Sequence, residues 1–343
     1  MRKSCRMTVT PRSLTFDYAV ALCSVWISSG FFLDAWAHGH VPVESFFTPY
    51  HGVFYSGMLA MIVVLAAYWL RHRGLPPGYR LAVLGIPIFI VAGIGDLIWH
   101  QLLGIEEGVD ALLSPTHQCL GLGIFFLASG PIRSVLADRV NSTSLRTQLP
   151  LVLSLVAWLT LFHFGTAYAF DPGAGRTNAP PVQNGAAPDY FTALAIGYYK
   201  ISIGVLIMIF QAMAMTAFAL YTVSRIRLSF GAFTVFYVLG NAAAAAAFTN
   251  QTPLLATTLL QSFVAGLIAD IIVLRRDPQP DNPAAYRLFA VLVPLAYMGT
   301  YLIVTLAFDR LWWDWNEALG AWLWCGVTGF ALSLIGTARR TAQ

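Results

Sequence analysis

Long apolar runs separated by short polar connections recur from one end of the chain to the other. Ten of them approach the ~20 residues that a helix needs to cross the hydrocarbon core of a bilayer: 16–38, 49–70, 80–102, 113–136, 149–170, 196–223, 229–249, 253–274, 285–308 and 316–337. Ten-residue segments of alternating apolar and polar positions, the mark of a membrane β-barrel, do not occur, and an open strand cannot satisfy its backbone in lipid. The pattern therefore predicts an all-α fold, a polytopic integral membrane bundle of about ten transmembrane helices. Composition agrees, since 57% hydrophobic and only 10% charged residues lie well outside what a soluble globular chain carries.

The polar connections divide the chain. Residues 1–15 are a basic N-terminal segment, 16–136 hold spans 1–4, 137–170 a loop and span 5, 171–190 a connection rich in Pro, Gly and Ala, and 191–343 spans 6–10 with the C-terminus. Lys and Arg in short loops collect on the cytoplasmic side. With the N-terminus inside, 17 of the 20 Lys and Arg fall there; Arg176 and Arg310 lie outside and Lys200 within a span. Both termini are then cytoplasmic, and the net charge of +4 reflects topology rather than nucleic-acid binding. Eleven of the 16 acids and six of the seven histidines sort to the opposite, outer side, where any chemistry is expected. A signal peptide cleaved after Ala35-Trp36-Ala37 is set aside, because the cut would part Asp34 from His38. Cys5, Cys23, Cys119 and Cys325 are scattered and suggest neither thiolate metal capture nor a disulfide framework.

The outer polar residues form an internal repeat. Residues 34–51, "DAWAHGHVPVESFFTPYH", and residues 96–117, "DLIWHQLLGIEEGVDALLSPTH", both run Asp-x3-His, an acidic connection, then Ser/Thr-Pro-x-His. Asp34 and His38 map onto Asp96 and His100 at an offset of 62, and Glu44, Pro49, His51 and Gly57 onto Asp110, Pro115, His117 and Gly123 at an offset of 66. Each copy reads as an out-and-back helical hairpin, so the duplication is parallel and equivalent residues share a membrane depth. Asp and His at i and i+4 stand about 6 Å apart on one helical face. Thr48 or Ser114 suits the cap of the returning helix and Pro49 or Pro115 its first residue. His51 and His117 are then expected in the first turn, facing the Asp–His pairs, and two Asp with four His suit two mononuclear metal sites or one dinuclear site.

The same residues resemble the C subunit of the copper membrane monooxygenases, the particulate methane and ammonia monooxygenases. Asp34, His38 and His51 match that family's Asp-x3-His-x12-His, with Phe47-Thr48-Pro49-x-His51 at its end, while Asp96, Trp99, His100 and Gln101 match its Asp-x2-Trp-His-Gln. The resemblance covers about 20 residues twice out of 343, and the second copy has x16 between its histidines. It implies that Asp34, His38 and His51 ligate a metal, generally copper, with Asp96, His100 and His117 as a second set. It also implies oxidoreductase chemistry, monooxygenase-like, on a small apolar substrate, alongside partner membrane subunits or a homo-oligomer. The expected setting is a bacterial inner (plasma) membrane with the site facing the periplasm or exterior.

Imidazole with carboxylate suits Cu(II), Zn(II), Fe or Mn. Glu44 and Asp110 are candidates to orient the ligand imidazoles or to serve as extra ligands, as are Glu106 in the inserted loop, His40 at the rim and His163 in span 5. Trp36, Phe46, Phe47, Tyr50, Phe54, Tyr55 and Trp99 read as an interfacial belt or as walls of an apolar pocket. Asp270 reads as a partner of Arg275 and Arg276, and Lys200 as an interface anchor or a cup residue. Two functional classes follow besides a sensor or purely structural protein: a metalloenzyme, and a transporter or insertion factor for metal ions. Spans 1–4 are nearly free of polar residues below the motif, which favours the first.

Overall fold

The computed structural model describes residues 8–9, 12–41, 46–104, 106, 111, 113–138, 144–167, 190–248, 252–308 and 313–338. Ten helices carry most of them: α1 (Leu14–His40), α2 (Pro49–His72), α3 (Arg80–Leu103), α4 (Pro115–Asp138), α5 (Leu145–Gly165), α6 (Tyr190–Val223), α7 (Ala232–Phe248), α8 (Thr252–Arg276), α9 (Pro283–Ala307) and α10 (Trp315–Ala338). Among the described residues nine helices are long and apolar enough to cross a membrane. The remaining one, α7, falls on the run at 229–249 but has only 17 residues; at ~1.5 Å per residue it spans about 25 Å, less than a ~30 Å hydrocarbon core. Thr8–Val9 (β1) and Gly74–Leu75 (β2) pair in parallel and tie the N-terminal segment to the α2–α3 turn.

The chain divides into two compact units, Met1–Thr166 with Leu239–Asn250, and Ala167–Val238 with Gln251–Gln343. In the second, α9 packs on α6, α8 and α10, and α6 also packs on α10. The start of α7 is set by another helix. The Asp270 carboxylate of α8 accepts the backbone N–H of Phe233 and of Thr234, each at 3.0 Å, and the Thr234 hydroxyl at 2.7 Å. An anion at a helix N-terminus satisfies free donors and opposes the helix dipole. Asp270 is thus a fully buried cap for α7, which corrects its reading as a partner of Arg275 and Arg276. Its approach is possible because Gly266, one turn earlier, presses on Thr234: a Cβ there would lie 2.5 Å from the Thr234 Cα.

In the first unit α1 packs on α2, α4 and α5, while α3 packs on α4 and α4 on α5. The duplication extends into these crossings. A Cβ on Gly57 would stand 3.1 Å from Ile27 Cγ1 and 3.2 Å from its backbone N, and one on Gly123 would stand 3.0 Å from both Cβ and N of Phe89. Gly57 and Gly123 are equivalent at offset 66, and Ile27 and Phe89 at offset 62. Each hairpin therefore closes over a glycine at the same place, as small residues allow in membrane helix pairs.

Equivalent residues of the two copies also meet each other. At the end of the bundle away from the motif turns, the Tyr79 hydroxyl donates to Asp17 Oδ1 at 2.6 Å, across 62 residues of sequence. Arg12 Nε donates to Asp17 Oδ2, also at 2.6 Å, and Asp17 and Tyr79 are fully buried. Burial first, and the Asp17 carboxylate second, raise the Tyr79 phenol well above its usual range, so it remains a donor. Sequence reasoning had assigned no role to this clasp. At the motif end the counterparts are His38 and His100, with ring centroids 6.2 Å apart and planes 21° from parallel.

The pairing is not symmetric throughout. α1 lies along α4, but the exchanged interface, α2 with α3, leaves a cavity of about 630 Å³ between them.

Replacing Asp270 by Ala strands backbone donors that it now satisfies, each worth ~1–3 kcal/mol when buried. The expected result for Asp270→Ala is a thermal midpoint several degrees lower in detergent, with Asp270→Asn in between. Midpoints unchanged from the parent protein would contradict the capping role.

Candidate metal centre

Each hairpin delivers its ligands by the same local rules. α1 runs to His40, so Asp34 and His38 sit in its last two turns, and α3 runs to Leu103 with Asp96 and His100 in the same place. Gly104, at φ 87°, ends α3 and closes on the His100 carbonyl, a backbone conformation that glycine adopts without cost. Thr48 caps α2, its hydroxyl accepting the His51 N–H at 3.1 Å, with Pro49 as the first helical residue. Pro115 opens α4 likewise. The returning histidines, His51 and His117, therefore sit in first turns that face the ends of α1 and α3.

Two triads result, Asp34–His38–His51 and Asp96–His100–His117, and within each the potential ligand atoms all lie within 4.8 Å of one another. Both triads repeat the same two spacings. His38 Nε2 stands 3.6 Å from Asp34 Oδ2 and His100 Nε2 3.6 Å from Asp96 Oδ2. His51 Nδ1 stands 3.2 Å from Asp34 Oδ1 and His117 Nε2 3.2 Å from Asp96 Oδ1. Ligands ~2.0–2.1 Å from a tetrahedral ion are about 3.3 Å apart. The separations thus fit atoms that share a cation. Five of the six residues are buried and His38 is half-buried, in a setting where lone charges are costly and seldom without a role.

The surroundings differ between copies. Asp96 Oδ1 also accepts the Thr116 hydroxyl at 2.7 Å, and Thr116 in turn lies 2.9 Å from the Ser114 hydroxyl. His117 Nδ1 is 2.7 Å from the Ala111 carbonyl, and His100 Nδ1 is 3.2 Å from the Gly104 carbonyl. His100 Nε2, the atom turned toward Asp96, is buried with no hydrogen-bond partner among the described residues. In the first triad His51 Nδ1 is shared with Thr48 Oγ1 at 3.0 Å, and His38 Nδ1 is buried with no hydrogen-bond partner among the described residues.

The other candidates fall into place around the triads. Glu106 Oε2 is 3.6 Å from His100 Nδ1, behind the ring and away from Asp96. His40 stands outside both triads: it is exposed, stacks on Trp36 at 4.7 Å and meets the Trp36 carbonyl at 2.8 Å. His163 also stands outside them, fully buried on α5 and hydrogen-bonded to Asn241. Glu44 and Asp110 lie outside the described residues. Of the aromatic residues, Phe46 packs between the copies, 4.7 Å from His51 and 6.1 Å from His100. Tyr55 lies nearly parallel to His51, at 6.1 Å, and its hydroxyl is buried with no hydrogen-bond partner among the described residues. Sequence reasoning offered Tyr55 only as a belt or wall residue, because its position depends on how α2 meets α3. It lines the α2–α3 cavity together with His51, Phe46, Met58, Phe89 and Gly93.

Comparison of the chain with protein-family models, with curated proteins and with solved structures returns no match. The protein is a multi-span membrane protein with two buried Asp/His groups of metal-binding composition.

Asp96 holds Thr116 as well as two imidazoles, whereas Asp34, among the described residues, faces imidazoles alone. In metal-free protein Asp96→Ala should therefore lower the thermal midpoint more than Asp34→Ala, by an extra ~0.5–1.5 kcal/mol for the lost Thr116 hydrogen bond. Equal losses, or a larger one at Asp34, would contradict the geometry.

Proposed function

We propose that this protein binds metal ions at the paired triads and uses them for monooxygenase-like oxidoreductase chemistry on a small apolar molecule taken from the bilayer. The observation that carries the reading is the twofold occurrence of one ligand set at the same spacings, 3.2 and 3.6 Å. A clasp between hairpins would need each pair once. It would not need the same three residue types twice, nor a buried imidazole nitrogen turned toward a carboxylate from beyond hydrogen-bond reach, as His100 Nε2 is.

Copper is the proposed metal. Sites of nitrogen and oxygen ligands bind Cu(II) most tightly among first-row divalent ions, and the local resemblance to the copper membrane monooxygenases points the same way; Zn, Fe and Mn are the competitors. A bound redox metal supplies the electron transfer. The chain supplies three ligands per ion, which leaves coordination positions open, and aromatic walls that exclude water. The α2–α3 cavity supports an apolar substrate. Its lining includes Leu59, Ile90 and Ile94, which are also exposed on the outside of the bundle, and it borders His51 and Tyr55. An apolar molecule dissolved in the membrane thus has a way to one triad that does not cross water.

Movement of a cation across the membrane has less support. Between Asp34 and Asp17, α1 buries Ser24 and Ser28, and both hydroxyls are bonded to carbonyls of their own helix. The distribution of basic residues supports a periplasmic or exterior face for the triads, and partner subunits or a second copy belong to the same proposal.

Two measurements check it. Mass-spectrometric metal analysis of purified protein should find copper near two equivalents. The His38→Ala/His51→Ala and His100→Ala/His117→Ala variants should each lose about one, and metal content equal to that of a variant lacking all four histidines would overturn the proposal. For orientation, Phe47→Cys in a cysteine-free background should react with an impermeant maleimide from outside intact cells and Arg71→Cys only after lysis; the reverse would invert the topology.

A further inference from the structure

Among the described residues, the two copies share candidate ligands but not the groups behind them. A metal-bound imidazole is held in its ligating form when its other nitrogen donates to a carbonyl or carboxylate, and such support typically changes metal affinity 10- to 100-fold. In the second triad both histidines have this support. His117 Nδ1 faces the Ala111 carbonyl at 2.7 Å, and His100 Nδ1 faces the Gly104 carbonyl at 3.2 Å with Glu106 beyond it. Each ring then presents Nε2 to Asp96, and Thr116 fixes the carboxylate itself.

The first triad is built otherwise. His51 presents Nδ1 to Asp34, and that same atom is shared with the Thr48 hydroxyl, so an incoming ion must displace a hydrogen bond that also belongs to the α2 cap. Thr116 has Tyr50 as its equivalent at offset 66. The Tyr50 ring lies edge-on to Trp36, with centroids 6.4 Å apart, and no hydroxyl donates to Asp34 among the hydrogen bonds of the described residues. The second triad's side chains are 1–7% exposed and the first's 6–10%, and the first also borders the α2–α3 cavity through His51.

We infer that the duplicated sites have divided their work: Asp96–His100–His117 retains a fixed ion, and Asp34–His38–His51 is the exchangeable, ligand-accepting site that meets the cavity. This rests on the metal-binding reading above. The fixed ion and its neighbours hold the wall against which the first site works, since His38 and His100 stack and Phe46 touches both copies. A membrane-soluble apolar molecule in the cavity meets the first triad at His51, with the Tyr55 hydroxyl as a polar group beside it.

The test is graded chelation of the full-length protein in lipid nanodiscs, loaded with copper(II) or, separately, zinc, dialysed against rising chelator and read by mass-spectrometric metal analysis. One equivalent should leave at chelator concentrations at least tenfold below those that remove the other. The resistant equivalent should be absent from His100→Ala/His117→Ala and kept by His38→Ala/His51→Ala. Thr116→Val, which alters no ligand, should move the resistant equivalent toward the labile one by about tenfold and leave the labile one in place. Loss of both equivalents together from the parent protein, or loss of the resistant one on replacing His38 and His51, would overturn the inference while leaving metal binding intact. Failure of the parent protein to bind either metal above a variant lacking all four histidines would overturn both.

Discussion

Two carboxylates sit inside an apolar bundle at the motif end, and neither is tolerable there as a lone charge. Transfer of an isolated ion into such surroundings costs several kcal/mol even after relaxation, so Asp34 and Asp96 need partners of opposite charge within a few ångströms. Much of the first unit follows from that need. The ends of α1 and α3 place each Asp one turn before a His, and the α2 and α4 first turns bring a second His to each. The hairpin is the smallest device that brings three such groups from a sequence of alternating polar loops and apolar helices to one point. A cation would satisfy all three at once.

Duplication explains why the two points are neighbours. Parallel copies bring equivalent residues to equal depth, and at both ends of the bundle equivalents touch: Asp17 with Tyr79, about 25 Å along α1 from Asp34 at ~1.5 Å per residue, and His38 with His100 at the other end. The glycine crossings keep each hairpin tight enough to preserve this alignment. What breaks the symmetry is the pairing of α2 with α3, which leaves a cavity where α1 with α4 leaves a packed seam. The opening falls on one copy's histidine, so under the proposed function an apolar molecule meets one triad rather than both.

Much of this architecture was legible in the chain. The apolar runs marked the helices, and the offsets of 62 and 66 marked the hairpins and the ligands they converge. Thr48-Pro49 marked a helix start whose cap then appears at 3.1 Å. Other features were hidden for identifiable reasons. Asp17 and Tyr79 are equivalent by position but not by type, so a search for like residues passes over them. Asp270 caps a helix 37 residues away, a partner that neighbouring Arg275 and Arg276 conceal from local reasoning. The run at 229–249 has the apolarity of a span, yet its helix begins late because the Gly231 turn and the Asp270 carboxylate set its first residue. Which ring nitrogen each histidine presents depends on backbone carbonyls such as that of Ala111, and spacing in sequence does not reveal it.

The most direct test of the account is the position of the metal itself. Anomalous scattering, recorded at the absorption edge of the loaded metal from crystals of the full-length protein, should give two peaks, each ~2.0–2.2 Å from its ligand atoms. One should lie among Asp96, His100 and His117, and the other among Asp34, His38 and His51. Density between neither set of side chains, or peaks only at surface carboxylates, would contradict the account and leave the duplicated residues as clasps between hairpins.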